Sequence, residues 1–279
     1  MALFPVPKNL LPVETDMYSN QVVFHGVNKS GSMAMAMALR AAFNNANRGE
    51  EFQSHYFIGG SLEAYIETIK DYSEPGFFLG HYLYGALSNH PRRVWTTQFR
   101  HPVPRILSAY NWLKSRHFRR SSEPFPSLED FVEKTKGVAH SQVAQFGLGF
   151  GRLRQSKVRR KLDSSDLYEL SRESLERDFP WFGIAEYFDE SLFALASLVG
   201  IPGVLPWKRD QRNPGRVLSH EISEEIRQLI EEVFHHDMLL YEFAVDEFLA
   251  KVEPLQSDGN FLEYKSLCAD QYNDRILIR

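Results

Sequence analysis

Residues 21–46 read Gln21-Val-Val-Phe-His-Gly-Val-Asn-Lys-Ser-Gly-Ser-Met-Ala-Met-Ala-Met-Ala-Leu-Arg-Ala-Ala-Phe-Asn-Asn-Ala46, and this stretch decides the fold. Its first five residues form a short apolar run that is typical of a buried strand. Residues 33–46 are rich in alanine, methionine and leucine, which favour helix. A small polar loop, 26–32, lies between the two. The stretch therefore predicts a strand, a loop and a helix in succession.

Further strands and helices alternate along the chain, as judged from the spacing of apolar residues. The predicted strands are 77–79, 94–99 and 181–185, and the predicted helices are 62–69, 103–116, 127–136, 165–177, 190–199 and 223–249. Such alternation is typical of a parallel sheet covered by helices on both faces. We expect one α/β domain over residues 1–279, with its core at about 20–250 and a C-terminal extension at 251–279.

The charge of the chain is unevenly distributed. A formal net charge of −4 excludes the generally basic surface of a nucleic-acid coat protein, so no nucleic-acid partner is expected. Residues 75–122 and 134–162, however, contain no Asp or Glu and are rich in Lys and Arg. Two basic blocks in a mildly acidic chain indicate either a pocket for an anion or two solvated basic faces.

The composition is that of a globular protein in a reducing compartment. Hydrophobic residues make up 43% of the chain and aromatic residues 13%, enough for a packed core. Cys268 is the sole cysteine, so no disulfide can form within the chain. Residues 1–20 lack the apolar core of a signal peptide, and no apolar run is long enough to span a bilayer. We therefore expect a cytoplasmic protein without a membrane span.

The loop at 26–32 has the composition of an anion site. It joins a strand to a helix, where unpaired N–H groups and the positive end of a helix dipole coincide. The small residues Ser30, Gly31 and Ser32 would let an anion approach the backbone closely. Lys29 adds a mobile positive charge. Together these residues describe a cradle for a phosphate or a phosphosulfate.

The same loop differs from two common nucleotide-binding loops. An ATP-type loop has the form Gly-x-x-x-x-Gly-Lys-Ser/Thr, and Val23 and Asn28 stand where that form requires glycine. The dinucleotide pattern Gly-x-Gly-x-x-Gly is absent as well. From the loop alone, an anion site and a plain strand-to-helix turn with an exposed lysine both stay open.

A second anion-binding pattern follows the predicted strand 94–99. Arg100 ends that strand, Pro102 is suited to begin a helix, and Ser108 lies two turns into it. The planar guanidinium of Arg100 matches phosphate oxygens, and the Ser108 hydroxyl adds a donor. Arg105 would either neutralise the same anion or pair with an acid of the fold. Taken alone, Arg100 would equally suit a structural ion pair.

Together, the two segments resemble the sulfotransferase superfamily. Residues 28–32 are similar to its Pro-Lys-Thr/Ser loop for a 5′-phosphosulfate, and residues 100–108 to its Arg-Asp-Pro-x-x-Arg motif and following serine for a 3′-phosphate. Three further segments resemble the carbohydrate-type, 2-O-sulfotransferase-like branch, namely Gly80-His81-Tyr82, residues 182–192 and residues 237–242. The resemblance covers residues 20–245 or so.

Two residues depart from the family pattern. Asn28 stands where the loop usually has proline, and His101 stands where the second motif usually has aspartate. The first change loosens the preset geometry of the loop. The second removes a carboxylate that commonly braces the motif. Because Lys29, Arg100 and Ser108 are present, we expect cofactor binding to be retained.

The resemblance implies a P-loop-like parallel sheet flanked by helices and 3′-phosphoadenosine-5′-phosphosulfate (PAPS) as co-substrate, without a metal. It also implies catalytic stabilisation of the leaving phosphate by Lys29 and the loop donors. The residues implied to bind the co-substrate are Lys29, Ser30, Gly31, Ser32, Met33, Arg100 and Ser108. In the late loop rich in Gly and Pro, Arg212 and Arg216 are further candidates for the 3′-phosphate.

His81 is the candidate general base of the implied reaction. It follows the apolar residues 77–80 at the carboxyl end of a predicted strand, where open α/β sheets place their ligand sites. Histidine titrates near neutral pH, and by resemblance the equivalent histidine of the branch acts as the base. A histidine hydrogen-bonded in an ordinary loop is the alternative. His25 and Glu186 are alternative bases.

Two other functions stay open. A phosphate-loop kinase or hydrolase would need Mg²⁺ and an aspartate on a second strand, whereas the strand 94–99 ends in Arg100. A non-catalytic binder of an anionic glycan or nucleotide would use the same basic blocks.

The sequence does not specify the acceptor, since hydroxyls of sugars, small molecules and lipids all fit, as do amines. His140 and Gln142 are candidate contacts to the acceptor or the cofactor. No His/Cys cluster has zinc spacing, and the oligomeric state is open.

Overall fold

The computed structural model describes residues 4–5, 21–55, 61–81, 83–87, 92–134, 141–147, 164–205 and 217–273. Its strands are β1 (Phe4–Pro5), β2 (Gln21–Gly26), β3 (Phe52–Ser54), β4 (Gly76–His81), β5 (Arg93–Phe99), β6 (Gly183–Ile184) and β7 (Gly203–Val204). Five of them form a parallel sheet in the order β3-β4-β2-β5-β6, and β1 pairs antiparallel with β7.

The central position of β2 follows from its composition. All six residues of β2 are buried, as a strand with helices on both faces requires. The chain runs from β2 outward to β3, returns to β4, and then crosses to β5 on the other side of β2. The order of the strands therefore reverses at β2, and α/β sheets bind ligands at the carboxyl ends of the strands at such a point.

Ten α-helices lie in the described part of the chain. They are α1 (Ser32–Asn45), α2 (Leu62–Lys70), α3 (Pro102–Phe118), α4 (Leu128–Lys134), α5 (Gln142–Gly147), α6 (Ser164–Asp178), α7 (Phe188–Leu198), α8 (Glu224–Val233), α9 (His235–Val252) and α10 (Gly259–Asn273). Short 3-10 helices cover Gly49–Glu51, Ala185–Tyr187 and Glu253–Ser257. None of these described helices is both long and apolar enough to cross a membrane.

Helices cover both faces of the sheet, which confirms the predicted α/β class. On one face, the rings of Phe52 and Phe77 contact Phe43 of α1, with centroids 5.5 and 6.0 Å apart. On the other face, the ring of Phe99 lies 5.0 Å from that of Phe146 of α5. Side chains alternate between the two faces along a strand, so successive residues pack against helices on opposite sides of the sheet.

A second, smaller core lies beside the sheet. It joins α3, α4 and α8 through Ile106, Phe131, Ile230 and Phe234, all of them buried. This core explains why the predicted helix 223–249 is instead two helices. Phe234, at φ −110° and ψ 32°, ends α8 and separates it from α9, so that α8 can turn its apolar side toward α3 and α4.

The C-terminal extension predicted at 251–279 packs on the main core where the structure describes it. Leu255, Phe261 and Tyr264 are buried in that core, and the ring of Tyr264 lies 5.7 Å from that of Phe4. The sequence had no prediction for this helix, because the segment is largely polar. Strands β1, β3 and β7 are likewise absent from the sequence predictions, since two or three residues show no periodicity.

Candidate functional site

The loop after β2 holds its backbone in an unusual conformation. Lys29 and Gly31 have φ values of 65° and 92°, in the left-handed region that favours glycine. A Cβ added to Gly31 would lie 3.2 Å from Nε2 of Gln98, which is tighter than ordinary contacts. Gly31 is also the N-cap of α1 and provides no side-chain cap, so the first N–H groups of that helix are left to other partners.

The two serines of the loop use their hydroxyls internally. The buried Ser30 Oγ donates to the carbonyl O of Val27 at 2.9 Å and lies 3.1 Å from Oγ of Ser32. Ser32 Oγ also lies 3.3 Å from the same carbonyl. These bonds brace the turn, so the donors that the loop offers outward are backbone N–H groups of α1, which begins with Ser32 and Met33.

Arg100 joins the second motif directly to this loop. Its Nη1 donates to the carbonyl O of Lys29 at 3.2 Å. Burial lowers the pKa of Lys29 below its ordinary value, and the nearby guanidinium of Arg100 lowers it further. Two cationic side chains from adjacent strands thus converge at one edge of the sheet, which is a suitable environment for an anion.

Ser108 and Trp112 lie on one side of α3, because they are four residues apart. Nζ of Lys29 lies 5.4 Å from the centroid of the Trp112 ring. The guanidinium carbon of Arg116, one turn further on, lies 4.6 Å from the same ring. Lys29 therefore lies close both to Arg100 and to Trp112, a residue on the same side of α3 as Ser108.

Arg105 has a structural role, the second of the two alternatives left open. Its Nη2 donates to Oδ2 of Asp237 at 2.8 Å, and both side chains are only 1% exposed. Asp237 also accepts from N–H of Gln142 and of Val143, at 2.8 and 3.0 Å, and from Oγ of Ser141 at 2.6 Å. This carboxylate thereby fixes the start of α5 against α3.

Two glutamines of α5 hold the motifs in place. Gln142 accepts from the N–H of Arg100 at 3.1 Å and donates to its carbonyl O at 2.9 Å. Gln145 accepts from the N–H of Asn28 at 3.1 Å. The sequence suggested Gln142 only as a contact to acceptor or cofactor and missed Gln145. No local pattern could reveal them, since their partners lie 42 and 117 residues away.

His81 lies beside the loop with a defined tautomer. Its Nδ1 is 2.8 Å from the carbonyl O of Gly26, which can only accept, so Nδ1 carries the proton and Nε2 the lone pair. Burial lowers the pKa of His81 below its ordinary value, the Gly26 bond raises it in part, and His55 and Lys29 lower it further. A neutral imidazole with this tautomer is suited to accept a proton.

The two alternative bases are engaged elsewhere. His25 is fully buried with a pKa lowered to about 3, chiefly by burial, and its Nδ1 accepts from the N–H of Tyr84 at 3.1 Å. Glu186 accepts from the N–H of His101 at 3.2 Å and from Oη of Tyr241 at 3.1 Å. Glu186 thus places a carboxylate at the start of α3.

The remaining candidates lie outside the described residues. These are Arg212 and Arg216 of the late loop and His140 before α5. Within the described ranges, no group of three or more His, Cys, Asp or Glu side chains is arranged to hold a metal ion.

In comparisons with known proteins, no family model and no curated protein matches this chain.

Proposed function

We propose that the chain is a sulfotransferase that moves a sulfuryl group from PAPS to an acceptor hydroxyl and releases adenosine 3′,5′-bisphosphate. The observation that carries the proposal is the 3.2 Å hydrogen bond from Nη1 of Arg100 to the carbonyl O of Lys29. It joins a loop suited to a 5′-phosphosulfate to a motif suited to a 3′-phosphate. A nucleotide with anions at both ends would use both.

The donors at the site fit such a nucleotide. The first turn of α1 and the Lys29 ammonium would hold the 5′ end, since a helix N-terminus with a nearby cation favours an anion. The Arg100 guanidinium and the Ser108 hydroxyl would hold the 3′-phosphate. The Glu186 carboxylate, which accepts from the residue after Arg100, already has two hydrogen bonds, so its charge is engaged at the start of α3.

The proposed transfer is an in-line displacement. The acceptor oxygen forms a bond to sulfur while the bond from sulfur to the bridging phosphate oxygen breaks. His81 takes the acceptor proton at Nε2, and the electron pair of the broken bond stays on the phosphate. Lys29 and the α1 dipole stabilise the charge that develops there. His81 ends β4, the strand that pairs with β2, so base and loop share one edge of the sheet.

The end of β5 weighs against a phosphate-loop kinase. Such an enzyme needs an aspartate on the strand beside the loop to hold Mg²⁺. Here Gln98 lies against Gly31 of the loop, and Arg100 follows it. The guanidinium has no lone pair to offer a divalent cation, and neither side chain supplies the negative charge of that aspartate.

Isothermal titration calorimetry tests the donor. We expect adenosine 3′,5′-bisphosphate to bind and ATP with Mg²⁺ and NAD to bind at least about 100-fold more weakly, since they lack the 3′-phosphate. Ser108→Ala should weaken adenosine 3′,5′-bisphosphate but leave adenosine 5′-monophosphate unaffected. Equal affinity for ATP with Mg²⁺ would favour the kinase instead.

A transfer assay tests the enzyme. PAPS is incubated with panels of sugar, lipid and small-molecule hydroxyls and with amines, and adenosine 3′,5′-bisphosphate release is measured. His81→Ala should lose the transfer while retaining affinity for adenosine 3′,5′-bisphosphate. A wild-type protein that binds this nucleotide but transfers to no acceptor would favour the non-catalytic binder.

We also propose a cytoplasmic location, consistent with the sole cysteine.

A further inference from the structure

Gln98 of β5 has a buried amide that the fold itself does not use. The residue is fully buried, and neither Nε2 nor Oε1 has a hydrogen-bond partner in the part of the chain that the structure describes. A buried amide without partners is destabilising, so native proteins retain one where another molecule completes it. Other buried polar atoms, such as Oγ1 of Thr96, share this state, so the position of the Gln98 amide decides whether a ligand could complete it.

The Gln98 amide lies at the N-terminus of α1. Its Nε2 lies 3.2 Å from where a Cβ of Gly31 would be. Gly31 is the N-cap and provides no side-chain cap, so the first N–H groups of α1, at the same place, have no partner within the helix. Two sets of donors, one from a strand and one from a helix, thus lie close together.

We propose that Gln98 is a ligand-contacting residue, whose Nε2–H group donates to an oxygen of the 5′-phosphosulfate or 5′-phosphate. This inference rests on the proposed function. Phosphate and sulfate oxygens accept hydrogen bonds and cannot donate them, which matches the placement of the donor end of the amide beside the loop. A carboxylate here would repel the anion, whereas the neutral amide stabilises it without adding a further cation beside Lys29 and Arg100.

The test compares two substitutions on β5. Gln98→Met keeps the length of the side chain and removes its amide. Thr96→Val is the matched control, because Thr96 lies two residues earlier on the same face of the strand, is fully buried, and has an Oγ1 without a partner among the described residues. Each full-length protein is titrated calorimetrically with adenosine 3′,5′-bisphosphate and with adenosine 3′-monophosphate. Melting is followed without ligand.

The expected result separates the two ends of the nucleotide. Gln98→Met should bind adenosine 3′,5′-bisphosphate about 10- to 100-fold more weakly than wild type, the range for a hydrogen bond to a charged group. Its affinity for adenosine 3′-monophosphate should be unchanged. Its melting temperature without ligand should be equal or higher, because an unpartnered amide has been removed. Thr96→Val should leave both affinities unchanged.

Other results would overturn the inference. Unchanged affinity of Gln98→Met for the bisphosphate, or equal weakening for both nucleotides, would show that the amide does not contact the 5′ group. A lower melting temperature without ligand would show that the amide already serves the fold. Failure of the wild-type protein to bind either nucleotide would instead overturn the proposed function, and this inference with it.

Discussion

Replacing Asp237 with alanine is expected to destabilise the protein severely. Its carboxylate accepts from Nη2 of Arg105 and from three donors at the start of α5, and both charged side chains are only 1% exposed. Removing one partner of a buried ion pair leaves the other charge in the interior without compensation. The substitution also removes the acceptor that anchors α5.

The size of the effect follows from this burial. Breaking a buried pair costs about 3–5 kcal/mol, a large part of the roughly 5–15 kcal/mol by which a domain is stable. Asp237→Ala should therefore fold at low temperature but unfold at much lower denaturant concentration. Because α5 holds the backbone of Arg100 through Gln142, affinity for adenosine 3′,5′-bisphosphate should fall as well.

Urea unfolding, followed by circular dichroism, measures the loss. Asp246→Ala is the matched control, since Asp246 lies on the same helix but is exposed, and its effect should stay within about 0.5 kcal/mol. The double variant Arg105→Met with Asp237→Leu should recover only part of the stability, because it removes both buried charges but leaves three donors at the start of α5 without an acceptor. A loss below about 1 kcal/mol for Asp237→Ala would refute the reasoning.

Three further outcomes are expected. Because burial holds the pKa of His81 below its ordinary value of 6.5, Nε2 should keep its lone pair at mildly acidic pH. A pH profile of kcat/KM should therefore fall only as the pH drops through that lowered pKa, and a fall that begins above pH 6.5 would contradict this. Gly31→Ala should lower the free energy of unfolding by about 1–2 kcal/mol in a urea titration, because the backbone φ here is 92° and the new Cβ would crowd Gln98. An unchanged urea midpoint would count against this loop geometry. Gln142→Ala should lower the affinity for adenosine 3′,5′-bisphosphate, measured by calorimetry, about tenfold, because the backbone of Arg100 loses two hydrogen bonds. An affinity equal to that of the wild type would show that these bonds do not support the site.

Local signals predicted much of the fold, including the elements that carry the two proposed anion-binding motifs. The apolar run of β2, the small loop after it and the alanine-rich α1 are contiguous, so each can be recognised without knowing the rest of the chain. Pro102 at the first position of α3 is an equally local signal. The convergence of Lys29 and Arg100 followed because β2 and β5 are adjacent parallel strands whose carboxyl ends share one edge.

Long-range partners were not predictable in the same way. Gln145 contacts a residue 117 positions earlier, and Asp237 contacts Arg105 across 132 positions. Neither residue type nor spacing distinguishes such a glutamine or aspartate from a solvated one. The break at Phe234 was missed for a related reason: apolar spacing continues through it, and only packing against α3 and α4 ends α8 there.

The two hydrogen bonds between Gln142 and Arg100 have a consequence for how the sheet ends. A glutamine side chain carries the same chemical group as a peptide unit, so Gln142 acts as a one-residue substitute for a neighbouring strand. The N–H and C=O groups of Arg100 are thereby hydrogen-bonded as they would be in a strand inside a sheet, although β5 ends at Phe99. Gln142 thus fixes the main chain of Arg100, while the guanidinium of the same residue bonds the loop at the carbonyl O of Lys29.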